Sequence, residues 1–563
     1  MELGGTLEQL REALTRAVFP IPPHAGQSDR DRLLLQLDDY LIPRVASLDA
    51  PLLAVVGGST GAGKSTVVNS LLGRTVSESS AIRPTTRRPM LLHHPSDALW
   101  FEGDRVLPRL ARVRGHEHTG GEPAGIELLA VPELPLGLAI VDAPDVDSVV
   151  DANRALADQL LQAADLWLFA TTAARYADAV PWDFLREASA RHAVVALMLN
   201  RVPSDVRAEV EADFHRKLHE AGLGDSPVFT IEERELPGGL LPGDAVMGIR
   251  QWLHGLAADA ATRTRIAKQT LGGAVDAALT ACTGIAVNAN TQVEAIDHLA
   301  QFVSAAQNES TGRIRAASAD GTLLRGEVLA RWQEFVGTGD ILRSIEAGVG
   351  RIRDRLGAFF RGQPSPTREI EEVIEEGLLA LLMSETLRAR SQIDRNWRGA
   401  PGGTEMLSRV TVHSDAALKE AASERVVAWQ RDLLAMIREE GADRRMTARA
   451  LSLGVNGLAV TLMVLLFAST GGITGGEVVT AAGAAVVGQK LLEAVFGEDA
   501  VRRMTKNSRE MLGVHAEQLL SWYLGPYTST LDDLGARSDA GAQIEMAAAD
   551  CRAAISLMRV RER

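Results

Sequence analysis

The chain has 563 residues, a net charge of −14 and two cysteines, Cys282 and Cys551. That length is enough for about three or four domains. The acidic balance argues against a nucleic-acid binder, and two cysteines exclude both a disulfide framework and a cysteine metal cluster, so a reducing compartment is expected.

The opening MELGGTLEQL lacks the basic-then-apolar pattern of a signal peptide, so cytoplasmic synthesis and residence are expected. Residues 5–48 read as two helices split by FPIPPHAG at 19–26. Short β-branched or apolar runs then alternate with helical patterns, the signature of βαβ units. Strands are expected near 52–57, 88–93, 138–142, 166–171, 194–199 and 227–230.

The first of these strands runs into AVVGGSTGAGKST, Ala54 to Thr66, followed by the helix-like VVNSLLGR. G-x-x-x-x-G-K-S between Gly58 and Ser65 aims successive backbone N–H groups at a phosphate. There the unpaired amides of a helix N-terminus and its dipole both favour negative charge. Gly58, Ser59, Thr60, Gly61, Ala62, Gly63, Lys64, Ser65 and Thr66 form the expected cradle. Lys64 would reach the β- and γ-phosphates, and the Ser65 hydroxyl would bind Mg²⁺.

Downstream comes AIRPTTRRPMLLHHP, Ala81 to Pro95. A threonine between the first helix and the second strand is where a GTPase switch closes on Mg²⁺ and the γ-phosphate. Thr86 is the first choice and Thr85 the second; Arg87 and Arg88 are expected to be solvated. In LAIVD, Asp142 ends an apolar strand, suited to hold Mg²⁺ directly or through water. The expected catalytic set is Lys64, Thr86 and Asp142, and the metal set Ser65, Thr86 and Asp142.

With these motifs the sequence resembles dynamin-like large GTPases, bacterial dynamin-like proteins included. TRRPMLL at 86–92 is similar to the dynamin switch motif, and the resemblance covers about residues 50–257 by motif and the remainder by architecture. It implies that Gly58 to Ser65, Thr86 and Asp142 carry the phosphate and magnesium roles. Dynamins have Gln then Ser inside the P-loop where this chain has Thr60 and Gly61. The D-x-x-G motif reads Asp142-Ala-Pro-Asp145, with an aspartate in place of the glycine that senses the γ-phosphate. Thr60 and Asp145 are guesses as water positioners.

A guanine reader of the N/T-K-x-D type is expected after the fifth strand, where VALMLNRVPSD runs from Val195 to Asp205. Asn200 holds the asparagine position, Arg201 replaces lysine and Pro203 replaces aspartate. Asp205 substitutes for that aspartate if the loop bends, or else belongs to an ordinary turn. Without the paired hydrogen bonds to guanine, base specificity relaxes; GTP is retained on the family resemblance.

Eighteen of the 22 prolines precede residue 243, and none lies between Gly243 and Gln363. That run, rich in Ala, Leu, Arg and Glu, reads as long helices. Mixed-charge helices are expected over 368–395 and 415–440, with breaks at 364–366 and 399–403. From Ala450 to Gly476 there are 27 residues without a charge, and a second uncharged run of 12 spans Val478 to Gln489. The first is long enough to cross a bilayer and the second is short for it. Arg444, Arg445 and Arg449 precede the pair and Arg502, Arg503 and Lys506 follow it, which favours a hairpin with both ends cytoplasmic. The reading is a membrane-inserting or re-entrant hairpin, with a buried helix pair as the alternative.

The expected fold is an α/β P-loop NTPase domain, a mostly parallel sheet with helices on both faces, followed by a long α-helical bundle with a hydrophobic helical hairpin. Its segments are 1–49, N-terminal helices; 50–257, the GTPase domain; 258–448, a helical trunk; 449–497, the apolar hairpin; and 498–563, returning helices. The resemblance implies that the N-terminal helices pack with the C-terminal one and that the heads pair, as a homodimer or with a dynamin-like partner. The expected activity is Mg²⁺-dependent GTP hydrolysis coupled to membrane remodelling or tethering at the cytoplasmic face, with lipid but no nucleic acid as partner. The alternatives are a low-turnover nucleotide switch at the membrane and a P-loop ATPase.

Overall fold

Continuous apolar character along the central strands, whose side chains point by turns to opposite faces, builds a sheet covered on both faces. The computed structural model describes residues 2–76, 88–113, 125–148, 151–190, 193–318, 365–442, 455–468, 489–490, 492–493 and 495–561. Among them lie β1 (Leu52–Gly58), β2 (Met90–His93), β3 (Ala111–Val113), β4 (Gly125–Ala130), β5 (Leu138–Asp142), β6 (Leu166–Thr172), β7 (Val194–Val202) and β8 (Val228–Glu232). They form one sheet in the order β3-β4-β2-β5-β1-β6-β7-β8. Every pairing is parallel except that of β2 with β5.

In β1, Leu53 and Val55 enter one apolar core while Leu52, Ala54 and Val56 enter the core on the opposite face. Trp167 and Phe169 of β6 join the first core, Leu168 and Ala170 the second. The helix Lys64–Leu72 packs on the second face through Val67 and Val68, and the helix Asp151–Gln162 on the first through Leu156 and Leu160. This is the doubly covered arrangement that a parallel sheet requires, because its crossover connections place helices on both sides. The expected α/β P-loop architecture followed by a long helical region is observed. Two strands, β3 and β4, lie beyond those anticipated.

The chain divides into two compact units: Met1–Phe19, His24–Gln292 and Ala536–Arg563 in one, Pro20–Pro23 and Val293–Gly535 in the other. In the first, the helices Leu3–Arg16 and Ala540–Arg561 pack together through Leu7, Leu10, Ile544 and Cys551. Cys282 is buried in the same core, and burial pushes its thiol pKa up to about 12.

A buried polar knot ties the amino end of β6 to this surround. Asp165 accepts hydrogen bonds from the Leu53 amide (2.9 Å) and the Tyr40 hydroxyl (3.1 Å), and forms an ion pair with Arg44 at 3.0 Å. Thr270 Oγ1 donates to the Asp165 carbonyl at 2.9 Å. Burial raises the Asp165 carboxyl above its usual range despite Arg44; losing one member of such a pair strands a buried charge.

The second unit is helical. Its described part comprises the helix Ala260–Ala317 from residue 293 onward, Ser365–Gly399, Gly403–Arg409, Asp415–Ala442, Val455–Ala468 and Glu498–Asp532. The break at 399–403 separates two helices as expected, and Pro366 sits in the first turn of Ser365–Gly399, where its missing N–H costs nothing.

The centre of the long apolar run forms the helix Val455–Ala468, in which Leu458–Phe467 is buried throughout. It sits in the core of the helical unit with Trp429, whose ring lies 6.0 Å from that of Phe467. Arg509 Nη2 donates to the Leu466 carbonyl at 3.1 Å, satisfying an acceptor in the last turn of the apolar helix. Of the first uncharged run only this helix is described, and its Leu458–Phe467 stretch is buried; the second uncharged run, 478–489, lies outside the described residues apart from Gln489. Separately, Ala260–Ala317 is long and apolar enough to cross a membrane, but its most apolar window is 61% buried.

Leu462→Ala should lower the stability of the helical unit by about 2–5 kcal/mol, as for a fully buried leucine. Chemical denaturation followed by circular dichroism checks this. An unchanged midpoint would mean that the helix is not a core element.

Candidate functional site

The carboxyl ends of β1, β5, β6 and β7 lie along one edge, and in such sheets the crevice outside that edge is where ligands bind. Register aligns Val56 with Asp142, Gly58 with Ala170 and Thr172 with Asn200. Because β2 runs antiparallel, with Met90 opposite Asp142, it starts at the same edge.

The loop leaving β1 is sterically restricted to its glycines. Gly58 has φ +142°, and a Cβ there would lie 2.0 Å from the Ala170 carbonyl oxygen. Gly63 has φ +86°, and a Cβ would lie 2.4 Å from Asn200 Nδ2. These contacts let the backbone coil tightly before the helix begins at Lys64.

Lys64 is only 6% exposed. Its ammonium donates to the carbonyls of Gly58 (3.0 Å) and Ser59 (3.1 Å) and to Asp145 Oδ1. Ser65 Oγ donates to Asp142 Oδ2 at 2.7 Å, so two of the three expected magnesium ligands meet. An all-oxygen pair of one hydroxyl and one carboxylate fits Mg²⁺, which takes few protein ligands and completes its shell with phosphate and water. Among the described residues no group of three His, Cys, Asp or Glu side chains forms a metal cluster. Thr86 and Thr85 lie outside the described residues, as does Arg87.

A second acidic residue of the same loop grips the other side of the cradle. Asp147 Oδ1 accepts from the Thr60 amide (2.6 Å) and hydroxyl (2.8 Å), and Arg175 donates to Asp147 Oδ2 (2.7 Å) and the Thr60 carbonyl (2.8 Å). Burial pushes the Asp147 carboxyl up, but the Thr60 hydrogen bonds and the Arg175 guanidinium outweigh it and hold it below the usual range. The clamp is therefore intact at neutral pH and is lost only as acid protonates Asp147. Asp147 and Arg175 are absent from the sequence-derived set. The signal for Asp147 was its place in the loop that follows the strand-end aspartate.

Asn200 is buried, and its amide donates to the Ala62 carbonyl at 2.9 Å while its Oδ1 accepts from the Arg201 amide at 2.9 Å. It props the glycine-bounded loop from behind. Arg201 follows in a left-handed conformation, φ +51°, at an irregularity in the β7–β8 pairing; such interruptions re-aim the chain. Asp205 is exposed in the turn beyond.

Comparison with known proteins agrees with this geometry. The sequence model of the Dynamin family matches residues 53–201, a span that contains the cradle, Asp142 and Asn200. The resemblance to dynamin-like GTPases holds over that span. No curated protein matches the chain. Among solved structures, one chain comes from a study titled "An oligomerised bacterial dynamin pair provides a mechanism for the long-range sensing and tethering of membranes". It is 13% identical, with 98% of this chain and 95% of that chain covered and a TM-score of 0.40. LeoA, a bacterial dynamin GTPase from ETEC, is 14% identical over 93% and 97%, with a TM-score of 0.24. The fold assignment rests on the sheet order and the phosphate loop, not on those scores.

Asn200→Ala leaves the Ala62 carbonyl without this partner and should cost about 1–3 kcal/mol of stability. Thermal unfolding measures that loss, and titration with fluorescent GTP and ATP analogues should show both affinities falling by the same factor. A loss confined to the guanine nucleotide would make Asn200 a base reader instead of a prop.

Proposed function

We propose that the sheet-containing unit binds GTP with Mg²⁺ and hydrolyses its γ-phosphoryl bond, and that the chain couples this cycle to tethering or remodelling of a membrane at its cytoplasmic face. The observation that carries the reading is the juxtaposition of Lys64, Ser65 and Asp142 around a glycine-bounded loop at the carboxyl edge of the sheet. The Dynamin family match over the same residues favours guanine as the base. Arg201 and Asp205 stand nearest to the family's base-reading positions and are proposed to line that end of the pocket.

Catalysis in this reading is mostly positioning and charge neutralisation. The cradle amides from Gly58 to Thr66 bind the phosphate chain, and Lys64 neutralises charge shared between the β- and γ-phosphates. Ser65 and Asp142, with Thr86 from the switch segment, would hold Mg²⁺, which when bound stabilises charge on the transferring phosphoryl group. Water attacks the γ-phosphorus in line, the bond to the β–γ bridging oxygen breaks, and GDP and phosphate leave.

For the membrane, the apolar segment 449–497 with its basic flanks supplies the lipid-facing surface. Since Leu458–Phe467 lies in the helical core, lipid contact by that stretch requires it to leave the core, a step that nucleotide-driven pairing of heads could power. Pairing would be with a second copy or with a related partner. A specific observation favours a slower variant of the same reading: Asp145 stands on Lys64 where the family pattern has a glycine. The chain would then act as a low-turnover switch at the membrane.

Lys64→Ala should weaken fluorescent-GTP binding by at least about a hundredfold, because the buried ammonium at the centre of the cradle disappears. Unchanged affinity would overturn the phosphate assignment. GTP turnover by the wild-type chain, measured with and without liposomes of anionic phospholipid, should rise with lipid; turnover indifferent to lipid favours a switch that acts away from the bilayer.

A further inference from the structure

Lys64 has three ammonium hydrogens, and all three are taken: by the Gly58 carbonyl, by the Ser59 carbonyl and by Asp145. The two carbonyls belong to the cradle itself and stay with it. A phosphate can gain full contact with the ammonium only by displacing the Asp145 carboxylate, the one negatively charged partner among the three.

The segment that carries Asp145 is anchored by Ala143 and Val146 in the apolar core, and its backbone hydrogen bonds are long. The Ala143 amide reaches the Val56 carbonyl, Val146 reaches Gly58, and Ser148 reaches Asp145, each at 3.3 Å. Those distances exceed the usual 2.9–3.0 Å for such bonds, so the backbone hydrogen bonds add little to that apolar anchoring. The side chains hold more, with Asp145 on Lys64 and Asp147 on Thr60 gripping the cradle from two sides.

We propose that Asp145 is a specificity-determining residue that disfavours the triphosphate relative to the diphosphate at this cradle, an inference that rests on the nucleotide reading above. A diphosphate brings only its β-phosphate to this end of the cradle and can settle for partial contact, sharing the ammonium with the carboxylate. A triphosphate adds a γ-phosphoryl group that needs the position of Asp145 and repels it. Like charges forced together are costly, so the triphosphate binds only as the acidic loop withdraws. Withdrawal of that loop also removes Asp147 from Thr60 and leaves Arg175 with Asp178 as its remaining carboxylate partner, so one displacement reports the third phosphate to both sides of the cradle.

The test uses the full-length chain with Mg²⁺ and two probes, mant-GDP and the non-hydrolysable mant-GMPPNP. Asp145→Asn keeps the shape and removes the charge; Asp145→Gly restores the glycine of the family pattern and serves if the amide variant misfolds. Circular dichroism melts confirm folding of both. Either variant should bind mant-GMPPNP at least about tenfold more tightly than wild type, with mant-GDP affinity changed by no more than about threefold. Weaker triphosphate binding would overturn the proposal and make Asp145 a ligand of the bound nucleotide or its metal. Equal tightening for both probes would overturn it as well, reducing Asp145 to a general charge effect. A wild-type chain that binds neither probe removes the cradle reading and this one together, whereas binding lost in Lys64→Ala but insensitive to Asp145 removes this one alone.

Discussion

A buried ammonium organises the edge of the sheet. Lys64 is almost fully withdrawn from water, and an isolated charge so placed would be prohibitively unstable. Its stability comes from loop carbonyls that curl back toward it and from a carboxylate on the facing loop. The curl exists only because Gly58 can approach the Ala170 carbonyl more closely than any side chain permits. Strand spacing, glycine placement and charge burial are thus one constraint, and the positions of Ser65, Asp142 and Thr60 follow from it.

The same logic separates the two units. In the sheet-bearing unit, polar groups are arranged as knots with definite partners: buried Asp165 with Arg44, Tyr40 and Leu53 at one end of the strands, and partly buried Asp147 with Thr60 and Arg175 at the other. One knot fixes where β6 begins relative to its surround. The other ties two loops across the cradle and can be exchanged for ligand contacts. The helical unit is built around an apolar core, with single polar contacts such as Trp429 Nε1 to the Ser508 carbonyl (3.1 Å) and Arg509 to Leu466, and a knot of its own in which Arg313 joins Glu385 and Ser310.

Much of this was legible in the residues. Glycine spacing, the apolar run before it and the helix after it specify the phosphate loop, because few other arrangements need that combination. Central strands such as β5 were readable from continuous apolar character, which a two-faced parallel sheet demands. The two strands at one end of the sheet were not: β3 is three residues with Arg112 at its middle, and β4 carries Glu127 on a half-exposed face. Asn200 was expected at the base-reading position, whereas its grip on Ala62 depends on the close approach of β7 to the loop, which spacing along the chain does not encode. The apolar helix around Leu462 could not be assigned to lipid or protein from sequence, since a helix apolar on every side suits either surround. Only the neighbours, Trp429 and Arg509 among them, decide where it rests here.

The two cysteines have a practical consequence. Sulfhydryl chemistry proceeds through the thiolate. Burial keeps both Cys282 and Cys551 protonated and shielded from solvent. The native chain is therefore quiet toward maleimides and mild oxidants while folded. A single cysteine placed on an exposed loop would be the one site that takes a dye or a spin label, so loop displacement beside the cradle can be followed by distance measurements without first stripping the protein of its own sulfur.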